Sequence, residues 1–449
     1  MREMPEAPRL SKLIGPSFII LGVGLGSGEL ILWPYLASNF GLGIAWAAVV
    51  GITLQFFLNM EIERYSLVTG ESVFAGWARK WGKAAPVWFM VSTIIPWIWP
   101  GIMAAAAVAA ATAVGSEYSK WWGIGMLVVL GGIYSLGRVV YRTQEMVQKA
   151  IILLGVPVVV GLSIWLAGRA DWTALAAGVM NVGRLPAGIP LATFLAALVY
   201  SGAGGNLNLA QSLYVKEKGY GMGKYSGHIT NVLAGQEEEV KLTGEVFAQT
   251  PENIGRFKTW WRRINLEHGM VFWVTGVVTM LLLMLLAYST VHGNPEVGTS
   301  IKFVLLEAKA MGGLGVAFLA AVVLMLFGTQ FAVYGSNARM ATENLALLVP
   351  SSKAHHISRY FYGFLWLQIL AGMLVLGLGF IEPLSLVVMG AVMNAAAMCV
   401  YALLILKLNL ELPKALRPVW WRVGIVGLAG LLYGGFTAFT VWNFYRSGT

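Results

Sequence analysis

The sequence predicts an all-α polytopic membrane protein, two five-span repeats of opposite orientation followed by an eleventh span. Three observations predict it. Apolar stretches near the ~20 residues a helix needs to cross a bilayer recur eleven times. Lys and Arg crowd into alternate connections between those stretches. The first and sixth stretches both carry glycines and polar residues at their centres, where the hydrocarbon is deepest.

The stretches fall at roughly 14–40, 43–66, 86–114, 121–140, 145–168, 188–215, 269–289, 313–336, 357–380, 383–406 and 419–441. The chain is 57% hydrophobic and 12% charged, with a mean hydropathy of +0.70; soluble domains run nearer about a quarter charged. Residues 1–13 are polar, and no small-residue cleavage site follows the first apolar stretch, which reads as a span rather than a signal peptide. With residues 1–13 in the cytoplasm, 25 of the 31 Lys and Arg lie in internal connections. Only Lys120, Arg169, Arg184, Lys302, Lys309 and Arg446 lie outside. The positive-inside rule therefore predicts the cell (inner) membrane, with the N-terminus cytoplasmic and the C-terminus external. The formal charge of +10 is topological and calls for no nucleic acid. Cys399, the single cysteine, lies within a span and reads as a small buried hydrophobe.

Residues 14–168 form the first repeat and 188–406 the second, with 419–441 peripheral. The longest connection, 216–268, is expected to be cytoplasmic. In it Thr250 and Pro251 suit the start of a helix. Phe257, Trp260 and Trp261 lie there among Arg256, Lys258, Arg262 and Arg263, which suits a helix in the inner interface. A basic loop with interfacial aromatics accounts for the same residues. All five histidines, His228, His268, His292, His355 and His356, are placed in connections or at span ends.

The first span reads "GVGLGSGELI" from Gly22 to Ile31, and the sixth reads "LVYSGAGGNLNLAQ" from Leu198 to Gln211. Gly22/Gly26 and Gly24/Gly28 have the spacing that lets helices pack closely in lipid. Glu29 adds an ionisable group at mid-span, expensive unless it faces a cavity or a partner. The two anomalies are one five-span unit apart. An odd number of spans inverts the second unit, and paired glycine-interrupted spans are the best sequence pointer to a midplane transport site. Both stretches are therefore expected to unwind, freeing backbone groups that only a polar cavity or bound solute tolerates. The candidate substrate-binding residues are Gly24, Gly26, Ser27, Gly28, Glu29, Tyr200, Ala203, Gly204, Gly205 and Asn206, with Asn394 on the tenth span. Glu29 also suits the first turn of an outgoing half-helix, where a carboxylate complements the dipole. Gln55, Asn59, Gln330, Tyr334, Ser336 and Asn337 suit either a pathway or ordinary interhelical bonds. Glu61, Glu63 and Arg64 read as a cytoplasmic salt-bridge gate or as interfacial charges.

These residues resemble a family. "GPSFIILGVGLGSGE" aligns without gaps on the first span of NRAMP divalent-metal transporters, which reads Gly-Pro-Gly…Asp-Pro-Gly-Asn. "LQFFLNMEIERYSLVTGES" resembles that family's second span, and "GGNLNLAQSLYV" its sixth just after Met-Pro-His. The resemblance covers residues 14–85 and 195–215 and implies a LeuT-type 5+5 inverted-repeat fold, with broken helices one and six and alternating access. The metal ligands do not carry over. The family's Asp falls on Gly26, its Pro on Ser27 and its Asn on Glu29; Met, Pro and His fall on Ala203, Gly204 and Gly205, and a second His on Ala210.

A secondary transporter is thus expected. Its favoured substrate is a hard divalent cation such as Mg2+ rather than Mn2+ or Fe2+, because oxygen ligands survive and the thioether is lost. Glu29 and Asn206 are the candidate metal ligands. The alternative is an amino acid or another small organic solute held by freed amides near Ser27 and Gly28. The partners expected are the small solute or divalent cation, the lipid bilayer and a coupling ion whose identity the sequence does not give; no nucleic acid and no resident cofactor is called for. A membrane-embedded enzyme is disfavoured by the lack of HExxH, GxSxG or an intramembrane His/Asp cluster. A passive channel is separated from a carrier by saturable, slow flux.

Overall fold

In the computed structural model the described residues are 2–10, 13, 15–137, 139–226, 241–298, 301–349, 357–379 and 382–447. His228, His355 and His356 lie outside them. The described spans are helices at Pro16–Phe40, Leu42–Thr69, Ala84–Ala113, Val140–Leu166, Pro251–Val291, Gly312–Leu348, Ile357–Gly377, Pro383–Leu410 and Trp420–Asn443, with a shorter apolar helix at Lys120–Leu136. The sixth span is two helices, Leu191–Val199 and Ala210–Lys218. The chain is an all-helical, multi-pass membrane protein.

Burial follows position in the bundle. The most apolar window of the first span is wholly enclosed by protein, whereas the fourth, fifth, ninth and eleventh spans turn large apolar side chains such as Val129, Leu153, Leu370 and Leu431 outward. Lipid replaces water around those outer faces, so their exposure costs nothing. The eighth span packs on the third, fifth and ninth, and the tenth on the eleventh. The polar stretches of the first and sixth spans sit at the centre of this packing.

Three helices depart from expectation. The seventh begins at Pro251, where the Thr250 hydroxyl caps the Asn253 N–H at 3.2 Å, and it continues without a break to Val291. The predicted interfacial helix is therefore the extension of a span. One face of it grips the N-terminal strap: Trp260 Nε1 donates to the Pro5 carbonyl at 2.8 Å, and Arg263 to the carbonyls of Ala7 and Pro8 at 2.6 Å each. His268, expected at a span end, is fully buried, because that extension carries it into the bundle. The eighth span runs past the expected end at 336 to Leu348, enclosing Arg339 and Glu343. Lys216, Glu217 and Lys218, expected to open a connection, belong instead to the last turn of the sixth span.

Candidate functional site at the crossing of the first and sixth spans

The sixth span breaks as expected. Its helix stops at Val199, and Tyr200 to Gly204 are irregular; a short 3-10 turn over Gly205–Leu209 leads into the next helix. Gly202, Gly204 and Gly205 take φ of 128°, 71° and 57°, backbone that a side chain would strain. Gln55 on the second span bridges the gap. Its amide nitrogen donates to the Val199 carbonyl at 2.8 Å, and its amide oxygen accepts from the Gly204 N–H at 3.1 Å. Freed backbone groups at bilayer depth need such partners. Replacing Gln55 with Leu orphans both, at about 1–3 kcal/mol for each buried group. A lower midpoint in thermal unfolding of the detergent-solubilised variant checks this; a midpoint equal to wild type would show that Gln55 is dispensable.

The first span does not unwind, which corrects the expectation for residues 24–29. It passes from α-helix at Pro16–Gly24 into a π-helical stretch at Leu25–Leu32 and back to α-helix at Trp33–Phe40. The Trp33 N–H reaches five residues back to the Gly28 carbonyl, so the backbone stays paired through a wider turn. With no new N-terminus formed there, Glu29 caps nothing.

Glycines bring the two spans into backbone contact. A Cβ on Gly24 would lie 2.8 Å from the Gly202 backbone, and one on Gly28 only 1.8 Å from the Tyr200 carbonyl oxygen. Gly26 instead faces Thr329 on the eighth span, whose hydroxyl donates to the Gly22 carbonyl at 2.8 Å. Close packing and a broken sixth span thus coexist.

Around this contact the predicted residues divide. Tyr200, Gly205 and Asn394 come together: Asn394 Nδ2 donates to Tyr200 Oη at 2.8 Å, and Asn394 Oδ1 occupies the space a Gly205 Cβ would fill. Gly204 abuts the Tyr200 ring, and Ala203 is fully buried beside it in the chain. Asn206 turns to the third span, donating to Ser92 Oγ at 2.7 Å and Thr93 Oγ1 at 3.1 Å. Glu29 turns to the seventh, where Thr279 donates to one carboxylate oxygen. Glu29 and Asn206 are thus engaged by different neighbours. Among the described residues, no group of three or more His, Cys, Asp or Glu is placed to hold a metal ion.

The third span supplies a wall that sequence reading missed. Its helix narrows to a 3-10 turn at Ile95–Trp97, which contains Pro96, and restarts at Gly101, just after Pro100. These two prolines are the signal that could have marked the kink. Trp97 packs on Tyr200 with ring centroids 5.3 Å apart. Ser27 Oγ, Trp97 Nε1, Asn206 Oδ1, Asn394 Oδ1 and one oxygen of Glu29 are buried with no protein partner. Buried polar atoms normally find one, so these atoms are available to water or solute.

Below the crossing, toward the end of the bundle that carries residues 2–10, lies a set of buried ion pairs. Three consecutive residues of the sixth span each bind a different partner. Lys216 pairs with Glu343 at 3.0 Å, Glu217 with Arg339 at 2.6 Å, and Lys218 with Glu145 at 2.8 Å. They tie the sixth span to the eighth twice and to the fifth once. Glu61 joins Arg64 at 2.7 Å and Arg422 of the eleventh span at 2.6 Å. Glu63 instead accepts from Gln211 at 3.4 Å.

No family model matches the sequence, and no curated protein does. Solved structures do. The Eremococcus coleocola manganese transporter, crystallised with an aromatic bis-isothiourea substituted compound, aligns at a TM-score of 0.69 and 12% identity over 98% of this chain and 88% of that one. A mutant of the same transporter aligns at 0.69 and 13% over 98% and 89%. Mhp1, a nucleobase-cation-symport-1 family transporter in a closed conformation with bromovinylhydantoin bound, aligns at 0.59 and 12% over 99% and 96%. At such identities the likeness is one of fold: this chain has the LeuT-type fold of both.

Proposed function

We propose that this protein is a secondary transporter that works by alternating access, with its solute site at the crossing of the first and sixth spans. The break at Tyr200–Gly204 carries the reading, because an interrupted helix at that depth places partnerless polar atoms where a solute can use them. In this reading the state described is closed toward the end that carries residues 2–10. Residues 24–29 and 200–206 are buried, and the ion pairs of Lys216, Glu217 and Lys218 close the end that the positive-inside rule assigns to the cytoplasm.

The substrate reading that fits these side chains best is a small polar organic solute without net positive charge. The partnerless atoms around Tyr200 are amide oxygens, an indole N–H and a hydroxyl, with aromatic faces beside them, and they carry no formal charge. Such groups suit hydrogen bonding and stacking. The hard-cation reading has one observation in its favour, the free oxygen of Glu29, and requires that carboxylate to leave Thr279. Thermal unfolding of the purified protein against MgCl2, neutral amides and amino acids separates the two, since a ligand at about 100 times its Kd stabilises by about 2.7 kcal/mol. Stabilisation by neutral solutes, lost in Asn394→Ala and kept in Glu29→Gln, is the expected result. Stabilisation by Mg2+ alone, lost in Glu29→Gln, would transfer the site to the cation. Equal stabilisation of wild type and both variants by any ligand would remove the site from this crossing.

A further inference from the structure

The extension of the seventh span carries a row of polar side chains that the transport site does not use. Asn253, Arg256, Trp260, Arg263 and Glu267 recur at intervals of three and four residues, so they share one face of the helix. Each of them binds the beginning of the chain. Asn253 Oδ1 accepts from the Met4 N–H at 3.2 Å, and Arg256 donates to the Met4 carbonyl at 3.1 Å. Trp260 takes the Pro5 carbonyl, and Arg263 those of Ala7 and Pro8. Glu267 accepts from the Ser17 hydroxyl in the first turn of the first span.

Helix and strap are matched in length. From Asn253 to Arg263 the helix rises about 15 Å at ~1.5 Å per residue. Extended chain from Met4 to Pro8 covers about 12 Å at ~3.1 Å per residue. Pro5 and Pro8 have no N–H to satisfy, so the strap is chiefly a row of acceptors facing a row of donors. Two further bonds continue the row: the Ala248 N–H donates to the Arg2 carbonyl at 3.2 Å, and the Tyr225 hydroxyl to that of Glu3 at 3.3 Å. The carbonyls of Arg2, Glu3, Met4, Pro5, Ala7 and Pro8 thus all accept a bond. Met4 adds a side-chain anchor. It is fully buried, with its methyl carbon 3.0 Å from where a Cβ on Gly221 would lie, in the turn that follows the sixth span. Backbone bonds plus a buried side chain are how proteins hold an extended peptide.

The strap also stands at the end of the sixth span. A cavity of about 680 Å3 is lined by Met4, Pro5 and Trp260 together with Lys218 and Tyr220. Trp260 packs on Tyr220 with ring centroids 5.5 Å apart, and Lys218 is one of the three consecutive residues that pair with the fifth and eighth spans. The strap therefore joins the beginning of the first span to the seventh span and to the end of the sixth. The start of the first span cannot part from the seventh without breaking this row.

We propose that residues 2–8 are a tethered peptide ligand of the seventh span, a latch that leaves its groove before the basic end of the bundle opens. The proposal rests on the alternating-access reading, but its test uses no solute. In a Cys399→Ser background, Met4→Cys and, separately, Glu6→Cys carry the only thiol, one buried and one exposed. Maleimide labelling in nanodiscs should be slow at Met4→Cys and fast at Glu6→Cys. Adding Trp260→Ala with Arg263→Ala removes three bonds and should speed Met4→Cys by about tenfold or more. In a chain lacking residues 2–8, amide hydrogen exchange over 210–222, the end of the sixth span, should accelerate by about tenfold while that of the tenth span is unchanged. Met4→Cys reacting as fast as Glu6→Cys, or no faster once the donors are removed, would overturn the latch. So would unchanged exchange over 210–222 without the strap. Acceleration shared equally by the tenth span would make the strap a brace for the whole fold and overturn its role as a gate. A solute site elsewhere in the bundle would leave these rates as they are, so the latch and the transport reading fail separately.

Discussion

Arg339→Ala is expected to destabilise the protein by about 3–5 kcal/mol and to open its basic end. Arg339 is fully buried on the eighth span, where it pairs with Glu217 at 2.6 Å and donates to Gln144 of the fifth. Its removal strands the Glu217 carboxylate in a dry interior, and breaking one partner of a buried pair costs about that much. The stranded carboxylate regains water if the end of the sixth span moves outward. Hence thermal unfolding should show a lower midpoint, and labelling from the face that carries residues 2–10 should reach deeper. Replacing both residues, Arg339→Met with Glu217→Leu, removes the stranded charge and should recover most of the stability while leaving the end open. A double variant no more stable than Arg339→Ala would show that the pair's charge is not the issue.

Gly28→Leu is expected to abolish solute uptake without preventing membrane insertion. A Cβ there would fall 1.8 Å from the Tyr200 carbonyl, a backbone atom that cannot step aside. The first and sixth spans must then separate and the crossing fills with side chain, an overpacking cost of about 1–3 kcal/mol or more. Gly28→Ala already meets the same atom, so it should lose most of its uptake too. Uptake into proteoliposomes, normalised to reconstituted protein, measures both. Rates near wild type in Gly28→Leu would show that the solute route lies elsewhere.

What was legible in the sequence was what hydropathy and charge placement govern. Each span showed as a stretch long enough to cross a bilayer, and the break in the sixth showed through Gly202, Gly204 and Gly205, which the backbone requires. In the first span the same composition gave another outcome. Gly22 to Gly28 permit unwinding, but they equally permit a π turn pressed against another backbone, and only the partner decides. Glu29 and Asn206 both looked inward from a linear string, yet Thr279 and Ser92 hold them on separate neighbours. Lys216, Glu217 and Lys218 read as the start of a loop because charge is expensive inside a bilayer; their partners Glu343, Arg339 and Glu145 lie on distant segments, so the pairing that makes burial tolerable carries no local signal. His268 and Glu267 were hidden likewise, by a helix that runs on past the apolar window.

The most direct measurement on the whole account is the sidedness of one cysteine. Ala203→Cys in a Cys399→Ser background puts the chain's only thiol within the broken segment of the sixth span, and impermeant maleimide is offered from either face of oriented vesicles. A thiol shielded from the face that carries residues 2–10 in the wild-type background, and exposed to that face once Arg339→Ala is added, is the outcome a single gated site requires. Reaction from both faces at once would mean an open pore, and a thiol that stays inert from both faces with the ion pair removed would mean that no route passes the crossing.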